Sequence, residues 1–462
     1  MNLTTKTSTR RRPDEPPVVI IADDLTGAND SGAQLALAGL STSVLFGYER
    51  EAGIDREAIV LNTDSRSLEP KEAYRKAREA VEFAKSLGCR TLYKKLDSTL
   101  RGNIGAELDA VIDAFAPDFV VLAPAFPDNG RTTRHGVHCV HGVPVHETEA
   151  ARDPKTPVAS SYIPELLAGQ TAKPVARIDV ADAEAGREAI AARMEEAQRA
   201  GARIVVCDAE TNRHLAELAA AASSIPFRVA WAGSAGLARF LPIGGANPSP
   251  PSAGREIKDG RGADVSSLER SAVGARSALI VSGSASARTA VQRETLESAM
   301  EGRLARCELR AEKLLSDSER SEEIRRAEEA GVEAARDGRH YLLTVSSGAA
   351  DVSRAQDAGR RVGLSAAETS DRIAAALGEA AARLLERARW AGVVLTGGDT
   401  AMHACSRIGA LRLDLIAEVE VGVPIGRLRG PIEVAAVTKA GNFGTNDVLT
   451  KAVEALERLG EV

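Results

Sequence analysis

Short apolar segments of strand length alternate along the chain with stretches rich in alanine, glutamate and arginine that repeat with helical period. This alternation is typical of an α/β protein with largely parallel sheets. In the first half it predicts strands at 17–22, 58–62, 91–96, 119–125 and 203–209, and helices near 29–39, 70–87, 103–115, 182–200 and 211–222.

A second alternation follows after a break. It predicts strands at 277–283, 341–347, 392–398 and 433–441, and helices near 286–300, 317–337, 366–389, 400–408 and 445–459. Residues 243–276 are rich in glycine, proline, serine and charge and lack apolar periodicity, so they are predicted to be a linker. We therefore expect a disordered tail at 1–16 and two domains, 17–242 and 277–462. Each domain is expected to be a mostly parallel sheet flanked by helices, with the active-site cleft between them.

Composition narrows the classes of function. The chain has 462 residues, with 59 basic against 65 acidic side chains and a net charge of −6. This mild acidity disfavours nucleic acid as a partner. No stretch approaches the roughly 18 apolar residues of a membrane helix, and the N-terminus lacks the apolar core of a secretory signal, so a cytoplasmic protein without a membrane partner is expected. Five scattered cysteines indicate reduced thiols rather than disulfides or a zinc cage.

Several common motifs are missing from the sequence. No GK dipeptide occurs, so there is no P-loop; no GxGxxG follows a strand, and HExxH is absent. The acids Asp23 and Asp24 are adjacent, whereas aspartyl-phosphate chemistry needs a DxDxT spacing. P-loop kinases, simple dinucleotide dehydrogenases, zinc peptidases and aspartyl-phosphate phosphatases are therefore disfavoured.

The first polar strand end is VVIIADDLTGANDSG, which delivers Asp23 and Asp24 to the carboxyl edge of the predicted sheet. A carboxylate there can accept hydrogen bonds from substrate hydroxyls or act as a base toward one of them. Thr26 or Asn29 is the expected helix cap. The alternative is that both acids only cap and orient the turn.

Two further strand ends carry anion-binding residues. Arg66, in LNTDSRS, has a planar fork that suits a carboxylate or phosphate, although a surface arginine is an open alternative. The segment TLYKKLDSTLRGN combines cations, hydroxyls and a carboxylate ahead of a helix: Lys94, Lys95, Asp97, Ser98, Thr99 and Arg101. With the donors of the helix N-terminus, this segment fits a small sugar acid. An ordinary capped turn is the alternative.

Residues 121–148 contain Asn129, Arg131 and four histidines. The histidines lack tight metal-ligand spacing with supporting acids, so we favour a loop over the cleft rather than a metal site.

In the second half, the turn GVVLTGGDT places Gly397, Gly398, Asp399 and Thr400 between a strand and a helix. Glycines let backbone N–H groups approach a phosphate, the helix N-terminus stabilises it, and Asp399 could hold Mg²⁺ directly or through water. The alternative is a plain turn in which Asp399 or Thr400 caps the helix. Two similar strand ends, at 279–289 with Ser284 and at 437–449 with Gly441, Asn442 and Gly444, favour a nucleotide pocket.

Six motifs occur in order over both predicted domains: ADDLTGANDSG, KLDSTLRGN, APAFPDNGRTT, VSGSAS, LTGGDTA and KAGNFG. Together they resemble the four-carbon acid sugar kinase family from about Val18 to the C-terminus. The resemblance implies an N-terminal domain that binds the acid and a C-terminal domain that binds ATP. The implied reaction is phosphorylation of D-threonate, D-erythronate or 3-oxo-tetronate at the terminal hydroxyl; ANDSGAQ is closer to the first two branches, and we favour D-threonate.

Carried over motif by motif, the implied substrate contacts are Asp23 or Asp24, Arg66, and the run Lys95, Leu96, Asp97 and Ser98. Those implied for ATP are Ser284, the run Gly397 to Thr400, and Gly441. The residues themselves add Arg101 to the acid site and Asn442 to the nucleotide site.

Phosphoryl transfer needs mainly positioning and charge neutralisation. Arg66 or Lys95 is expected to fix the substrate carboxylate, Asp24 or Asp97 to bind hydroxyls, and one acid to accept the proton. Mg²⁺ is expected to bridge the ATP oxygens. Two other classes stay open: an NAD-linked hydroxy-acid dehydrogenase or epimerase, and a non-catalytic sugar-acid binding protein. The oligomeric state is also open, with a homodimer as one candidate.

Overall fold

The computed structural model describes residues 17–47, 55–153, 155–242, 277–345 and 348–460. The predicted tail (1–16) and linker (243–276) lie outside these residues. In the first half the strands are β1 Val18–Ala22, β2 Thr42–Leu45, β3 Ala58–Asn62, β4 Thr91–Lys95, β5 Phe119–Ala123, β6 Arg131–Arg134, β7 Val137–Val140, β8 Val143–Pro144, β9 Val175–Ile178, β10 Ile204–Cys207 and β11 Val229–Gly233. The helices are α1 Leu25–Leu37, α2 Pro70–Ser86, α3 Ile104–Phe115, α4 Ile163–Ala168, α5 Val180–Ala185, α6 Arg187–Arg199, α7 Asn212–Ser224 and α8 Ala235–Ala238.

The second half repeats the alternation of strand and helix. Its strands are β12 Ala278–Ser282, β13 Leu304–Leu309, β14 His340–Val345, β15 Gly392–Thr396, β16 Arg412–Glu420, β17 Val423–Arg429 and β18 Val434–Lys439. Its helices are α9 Ala287–Ala299, α10 Asp317–Arg336, α11 Ala349–Arg361, α12 Ala366–Arg387, α13 Gly398–Arg407 and α14 Val448–Gly460. The α/β class predicted from the sequence is confirmed.

The two halves share one sheet. Among the described residues, fifteen strands pair in the order β13-β14-β12-β15-β18-β17-β16-β2-β3-β1-β4-β11-β5-β10-β9. The pairs are parallel except around β16 and β17, where β16 pairs antiparallel with β2 of the first half. This pairing satisfies two edges that would otherwise present open backbone groups. The halves are thus joined edge to edge, where the sequence predicts separate sheets.

Strands in the middle of the first half are buried on both faces. All five residues of β1, VVIIA, are buried, as expected for a parallel strand covered by helices on each side. One hydrophobic core packs Val19, Ile21 and Leu92 against α2 and α3, and another packs the opposite face, including Ile20. With both faces of β1 and β4 packed, polar side chains that follow these strands are held at the carboxyl edge.

Several boundaries differ from the sequence prediction. Helix α1 begins at Leu25, four residues early, and its N-cap is Asp24 rather than Thr26 or Asn29, because the extended Asp24 accepts a hydrogen bond from Gly27 N at 2.8 Å. The predicted helix 182–200 is divided at Gly186, whose φ of 94° favours glycine. Within the described residues, no helix has the length and hydropathy needed to cross a bilayer.

Candidate active site

A cavity of about 730 Å³ lies between the two halves of the sheet. The first half contributes these residues predicted from the sequence: Asp24, Arg66, Lys95, Asp97, Ser98 and Arg101. The second half contributes Ser284, Gly397, Gly398, Asp399, Thr400, Gly441 and Asn442. The predicted acid and nucleotide residues therefore surround one space. Asp23 and Leu96 do not line it: Asp23 is buried against Arg66, and Leu96 packs in the hydrophobic core.

Arg66 is surrounded by carboxylates. Its Nε and Nη2 donate to the two oxygens of Asp23 at 2.8 and 3.0 Å, and its Nη1 donates to Asp24 Oδ2 at 2.7 Å. Its Nη1 also lies 3.4 Å from Asp97 Oδ2. Burial alone would raise the pKa of Asp23, but Arg66, Lys94 and Lys95 outweigh it and lower that pKa. The guanidinium thus holds the acids of two strand ends in fixed positions.

Asp97 is the centre of a second ion network. It accepts hydrogen bonds from Arg101 Nε at 3.0 Å, Arg101 Nη2 at 2.8 Å and Thr99 N at 2.9 Å. Arg101 also bonds Asp153 Oδ2 at 2.9 Å. Although burial opposes it, the charges of Arg101 and Arg66 hold the pKa of Asp97 well below its usual range. Asp97 is therefore ionised, and it is stabilised by ion pairs with Arg101 and Arg66.

The two lysines of β4 point to opposite faces, as strand periodicity requires. Lys95 lies in the cavity wall, where its Nζ donates to Leu96 O at 2.6 Å. Lys94 lies on the other face in a fully buried pair, with its Nζ 2.7 Å from Glu107 Oε2. Lys94 is thus part of the core rather than of the anion site suggested by the sequence.

Gly27 keeps the wall open beside Lys95. A Cβ at this position would lie 2.6 Å from Asp24 Oδ1 and 2.8 Å from Lys95 Nζ. Such contacts are shorter than van der Waals distance, so a side chain at Gly27 would displace one of the two charged groups. The glycine in ADDLTGA is explained by this close approach rather than by backbone conformation, because it lies within helix α1.

Three loops of the second half meet at the other end of the cavity. Gly397 (φ 93°) is the N-cap of α13, so neither Asp399 nor Thr400 caps the helix. A Cβ at Gly441 would lie 2.3 Å from Ser284 Oγ, which places these two loops in direct contact. Below them, the Lys439 ammonium donates to the carbonyls of Ala440 and Gly441 at 2.7 and 3.0 Å. This lysine positions the KAGNFG loop from within.

An apolar arm of the cavity, which the sequence motifs do not predict, extends from these loops. Its lining residues come from the end of β14 and from α11 and α12: Val345, Val352, Ala355, Gln356, Ser370, Ile373 and Ala374. The spacing of 352, 355 and 356, and of 370, 373 and 374, is that of one helix face. Apolar walls with two amide or hydroxyl side chains suit a flat heteroaromatic group.

Side chains also meet across the cavity. Lys155 Nζ of the first half lies 2.9 Å from Asp399 Oδ2 of the second, and Asn442 donates to Glu149. A Cβ at Gly398 would lie 3.0 Å from Thr26 Oγ1. Neither Lys155 nor Glu149 was identifiable from the sequence, because each acts only through a distant partner. The turn from Gly397 to Thr400 thus lies directly against the start of α1.

Asp30 and Arg131 also line the cavity, although they are not among the site residues predicted from the sequence. Both are buried, with relative exposures of 4% and 7%. The Arg131 guanidinium lies 5.5 Å from the ring centroid of Phe443, in the KAGNFG loop. The Arg131 Nε and the Asp30 Oδ1 are buried atoms without a hydrogen-bond partner in the described structure. Such atoms are expected where a ligand completes the site.

The predicted loop over the cleft is a small antiparallel sheet of β6, β7 and β8, and Arg131 and Val140 bring it to the cavity wall. Of its histidines, His138 is fully buried between Thr133 Oγ1 and Ser98 O, and burial lowers its pKa to about 4. His135 lies near Asp179 and Asp208. In this group of one histidine and two acids, Arg177 Nη2 lies 3.0 Å from Asp179 Oδ1, so an arginine already supplies a positive charge to the acids.

Comparisons with known proteins agree with this division. A family model described as a sugar-binding N-terminal domain matches residues 18–241, and one described as a nucleotide-binding C-terminal domain matches residues 279–449. A crystal structure of a Salmonella typhimurium LT2 protein, which carries a provisional tRNA synthase name, superposes with a TM-score of 0.76 at 25% identity. The match covers 94% of this chain and 98% of that one. The fold and the two family models together define a two-part α/β protein with a sugar-binding type of N-terminal domain and a nucleotide-binding type of C-terminal domain.

Relatives are similar over nearly their full length. A D-threonate kinase of Salmonella typhimurium is 32% identical over 96% of this chain and 99% of its own. A D-erythronate kinase of Heliobacterium modesticaldum is 31% identical over 95% of this chain and 97% of its own. A 3-oxo-tetronate kinase of Pseudomonas savastanoi is 29% identical over 94% of this chain and 96% of its own. The chain belongs to the four-carbon acid sugar kinase family.

Proposed function

We propose that this protein transfers the γ-phosphoryl group of ATP to the terminal hydroxyl of a four-carbon sugar acid, with D-threonate as the preferred acid. The observation that carries the proposal is the single cavity that joins an end rich in carboxylates, cations and hydroxyls to an end made of glycine turns and an apolar arm. A kinase needs both ends in one space, because the acceptor oxygen must reach the phosphorus in line with the leaving group.

The nucleotide is proposed to bind at the second-half end. The apolar arm beside Gln356 and Ser370 suits the adenine ring, and the turn from Gly397 to Thr400 suits the phosphates, since its backbone is open and α13 begins there. Ser284 and Gly441 form the opposite wall of this channel. The short distance between these loops would hold the phosphate chain extended toward α1.

Mg²⁺ would be held with the nucleotide. Asp399 offers a carboxylate on the phosphate turn with its side chain 56% exposed, which fits a metal that binds through one or two carboxylates and phosphate oxygens. When bound, the ion would neutralise phosphate charge. Lys155, which now pairs with Asp399, would remain next to the phosphates as a further positive group.

The acid is proposed to bind at the first-half end. Ser98 carries a hydroxyl without a described side-chain partner, and Asp97, held ionised by Arg101 and Arg66, can accept hydrogen bonds from substrate hydroxyls. Asp24, oriented by Arg66 and by Gly27 N, supplies a second acceptor. Lys95 and Arg131 lack a described carboxylate within ion-pair distance, so they are available for substrate carboxylate or phosphoryl oxygens. Arg66 then acts chiefly by holding the acids.

ADP release in a substrate panel tests the proposal. The purified protein is incubated with ATP, Mg²⁺ and, in turn, D-threonate, D-erythronate, L-threonate, 3-oxo-tetronate and D-glycerate. We expect the highest kcat/KM with D-threonate and little turnover of the three-carbon acid, whose terminal hydroxyl is one carbon nearer to its carboxylate and would be misplaced for transfer. Turnover of D-erythronate or 3-oxo-tetronate in preference would change the assigned substrate, and no ADP release with any acid would overturn the proposed function.

A further inference from the structure

The acids that line the cavity differ in their partners. Most of them are tied to a cation or an N–H donor: Asp24 to Arg66 and Gly27, Asp97 to Arg101 and Thr99, Asp153 to Arg101 and Lys155, Glu149 to Asn442, and Asp399 to Lys155. Asp30 is the exception, because no hydrogen bond or ion pair reaches its carboxylate from any described residue.

Asp30 is also deeply buried. Its relative exposure is 4%, and its Oδ1 is both inaccessible and unpartnered. A buried carboxylate without a hydrogen bond is unfavourable in a folded protein and is therefore expected where a ligand supplies the missing partner. Because Oδ1 is closed off, the oxygen that can meet a substrate hydroxyl is Oδ2, on the part of the side chain that lines the cavity beside Gly27.

Charged groups from several elements face Asp30. Lys95 from β4 and Arg131 from β6 favour its ionised form, whereas Asp24 at the start of α1 opposes it. Two further titratable groups lie near Asp30, Tyr93 on β4 and Glu418 on β16. In addition to burial, the negative charge of Asp30 contributes to raising the pKa of each of them. The carboxylate is thus influenced by two cations for which the described residues provide no carboxylate partner, and its Oδ1 lies near Gly422 of the second half.

We propose that Asp30 is the general base of the reaction and accepts the proton of the attacking terminal hydroxyl; this assignment rests on the proposed kinase function. As the O–H bond breaks and the proton passes to a carboxylate oxygen of Asp30, the hydroxyl oxygen forms a bond to the γ-phosphorus. The bond from that phosphorus to the β–γ bridging oxygen breaks, and ADP leaves with the electron pair. Lys95 and Arg131 stabilise the negative charge of the group in transfer.

Basicity separates Asp30 from its neighbours. Burial raises the pKa of Asp30 to about 6, against the opposing effects of Lys95 and Arg131. The sequence predicts Asp24 and Asp97 for catalysis, but the pKa of Asp97 is held well below its usual range by two arginines, which makes it a weak base. A base with a pKa close to the working pH combines the ionised form with useful proton affinity.

Kinetics of Asp30→Asn against wild type test this role. We expect kcat with saturating acid and ATP to fall about 10²–10⁴-fold, the usual contribution of a general base. Dissociation constants for D-threonate and ATP should stay near the wild-type values. The decline of wild-type kcat on acidification near pH 6 should be missing from the residual activity of the variant. Formate should restore part of the activity of Asp30→Ala by replacing the lost carboxylate.

Glu418→Gln is the matched control. Glu418 is a half-buried acid near Asp30, bonded to Gln34 and Gly422 N, and it does not line the cavity. Burial raises its pKa to about 8, so glutamine mimics its protonated form below that pH and the acid limb should not move.

Two results would overturn the role of Asp30 alone: an Asp30→Asn enzyme with wild-type kcat, or one that loses binding of the acid while kcat at saturation is kept. A wild-type protein that phosphorylates no acid would instead overturn the proposed function and, with it, this role. A formate-insensitive Asp30→Ala variant with intact ligand binding would also count against the base.

Discussion

Arg66 Nη1 donates to Asp24 Oδ2 at 2.7 Å, and the same guanidinium binds both oxygens of Asp23. One side chain from the end of β3 therefore fixes two adjacent acids from the end of β1. Asp24 is in turn the N-cap of α1, the helix that carries Gly27 and Asp30 into the cavity wall. The position of the acid site thus depends on an arginine whose donors are directed at protein groups.

Arg66→Ala should damage both the fold and the site. Asp23 is almost fully buried, so the loss of Arg66 removes the cation that is hydrogen-bonded to both of its oxygens. Breaking a buried pair in this way typically costs about 3–5 kcal/mol, and Lys94 and Lys95 would offset part of it. We also expect kcat/KM for the acid to fall about 10²-fold as Asp24 moves. Arg66→Lys retains the charge but lacks the planar fork, so its stability and its kcat/KM should lie between those of wild type and Arg66→Ala. Thermal unfolding and steady-state kinetics measure both effects; an Arg66→Ala protein with unchanged stability and a raised KM alone would contradict the holding role.

Gly27→Ala should impair binding of the acid. The added Cβ would lie 2.6 Å from Asp24 Oδ1 and 2.8 Å from Lys95 Nζ, so one of these groups must shift. Because the displaced group belongs to the proposed acid site, we expect kcat/KM for the acid to fall roughly tenfold, about 1.4 kcal/mol of transition-state stabilisation. The matched control is Gly169→Ala at the end of α4, where the nearest atom is 3.6 Å away and the backbone is right-handed. Equal kinetics for Gly27→Ala and the control would argue against an acid site beside Lys95.

Asp399→Ala should affect the nucleotide more than the acid. The pair with Lys155 is partly exposed, with side chains 56% and 26% accessible, so its loss should change stability by only about 0–1 kcal/mol. The KM for ATP-Mg should rise while the dissociation constant of the acid stays constant. Lys173→Ala, which removes an ion pair with Asp113 away from the cavity, is the control. Weakened acid binding with normal ATP use would refute the assignment of the two ends.

Asp30→Asn should raise the free energy of unfolding while it lowers kcat. Because burial raises the pKa of Asp30 from 3.8 to about 6, the ionised form opposes folding. That opposition is absent below the unfolded pKa, grows as pH rises, and is complete above the folded pKa. This rise in the pKa of Asp30 corresponds to a loss of roughly 3 kcal/mol in the free energy of unfolding at pH 7.5. Denaturant unfolding at pH 4 and pH 7.5 measures it; a variant less stable than wild type at pH 7.5 would indicate that Asp30 is a structural acid.

Much of the fold follows from local sequence pattern, but the joint between the halves does not. The fully apolar β1 and the helical stretches of α2 and α12 carry clear periodicity, so their type and place were predictable. Strand β16 alternates buried and half-buried residues as a strand with one covered face does, but nothing in that pattern specifies that it pairs with β2 of the other half. Contacts between segments about 370 residues apart leave no local signal.

The same distinction holds within the site. The residues of ADDLTGA, KLDS and LTGGDT stand at strand ends, where α/β ligands bind, so their convergence on one cavity could be predicted. The opposite orientations of Lys94 and Lys95 follow from strand periodicity and were predictable too. The role proposed for Asp30 was not predictable, because it depends on the burial of the carboxylate and on the absence of a hydrogen-bond partner for its Oδ1 among the described residues. Arg131 likewise acquires its role only through Phe443, in the other half of the chain.

The most direct test of the central claim is the ³¹P NMR spectrum of the product formed from ATP, Mg²⁺ and D-threonate. Transfer to the terminal hydroxyl would give, alongside ADP, a new phosphomonoester signal split into a triplet by the two protons on C4. A doublet would show transfer to a secondary hydroxyl, and inorganic phosphate without any ester would show hydrolysis; either result would contradict the account.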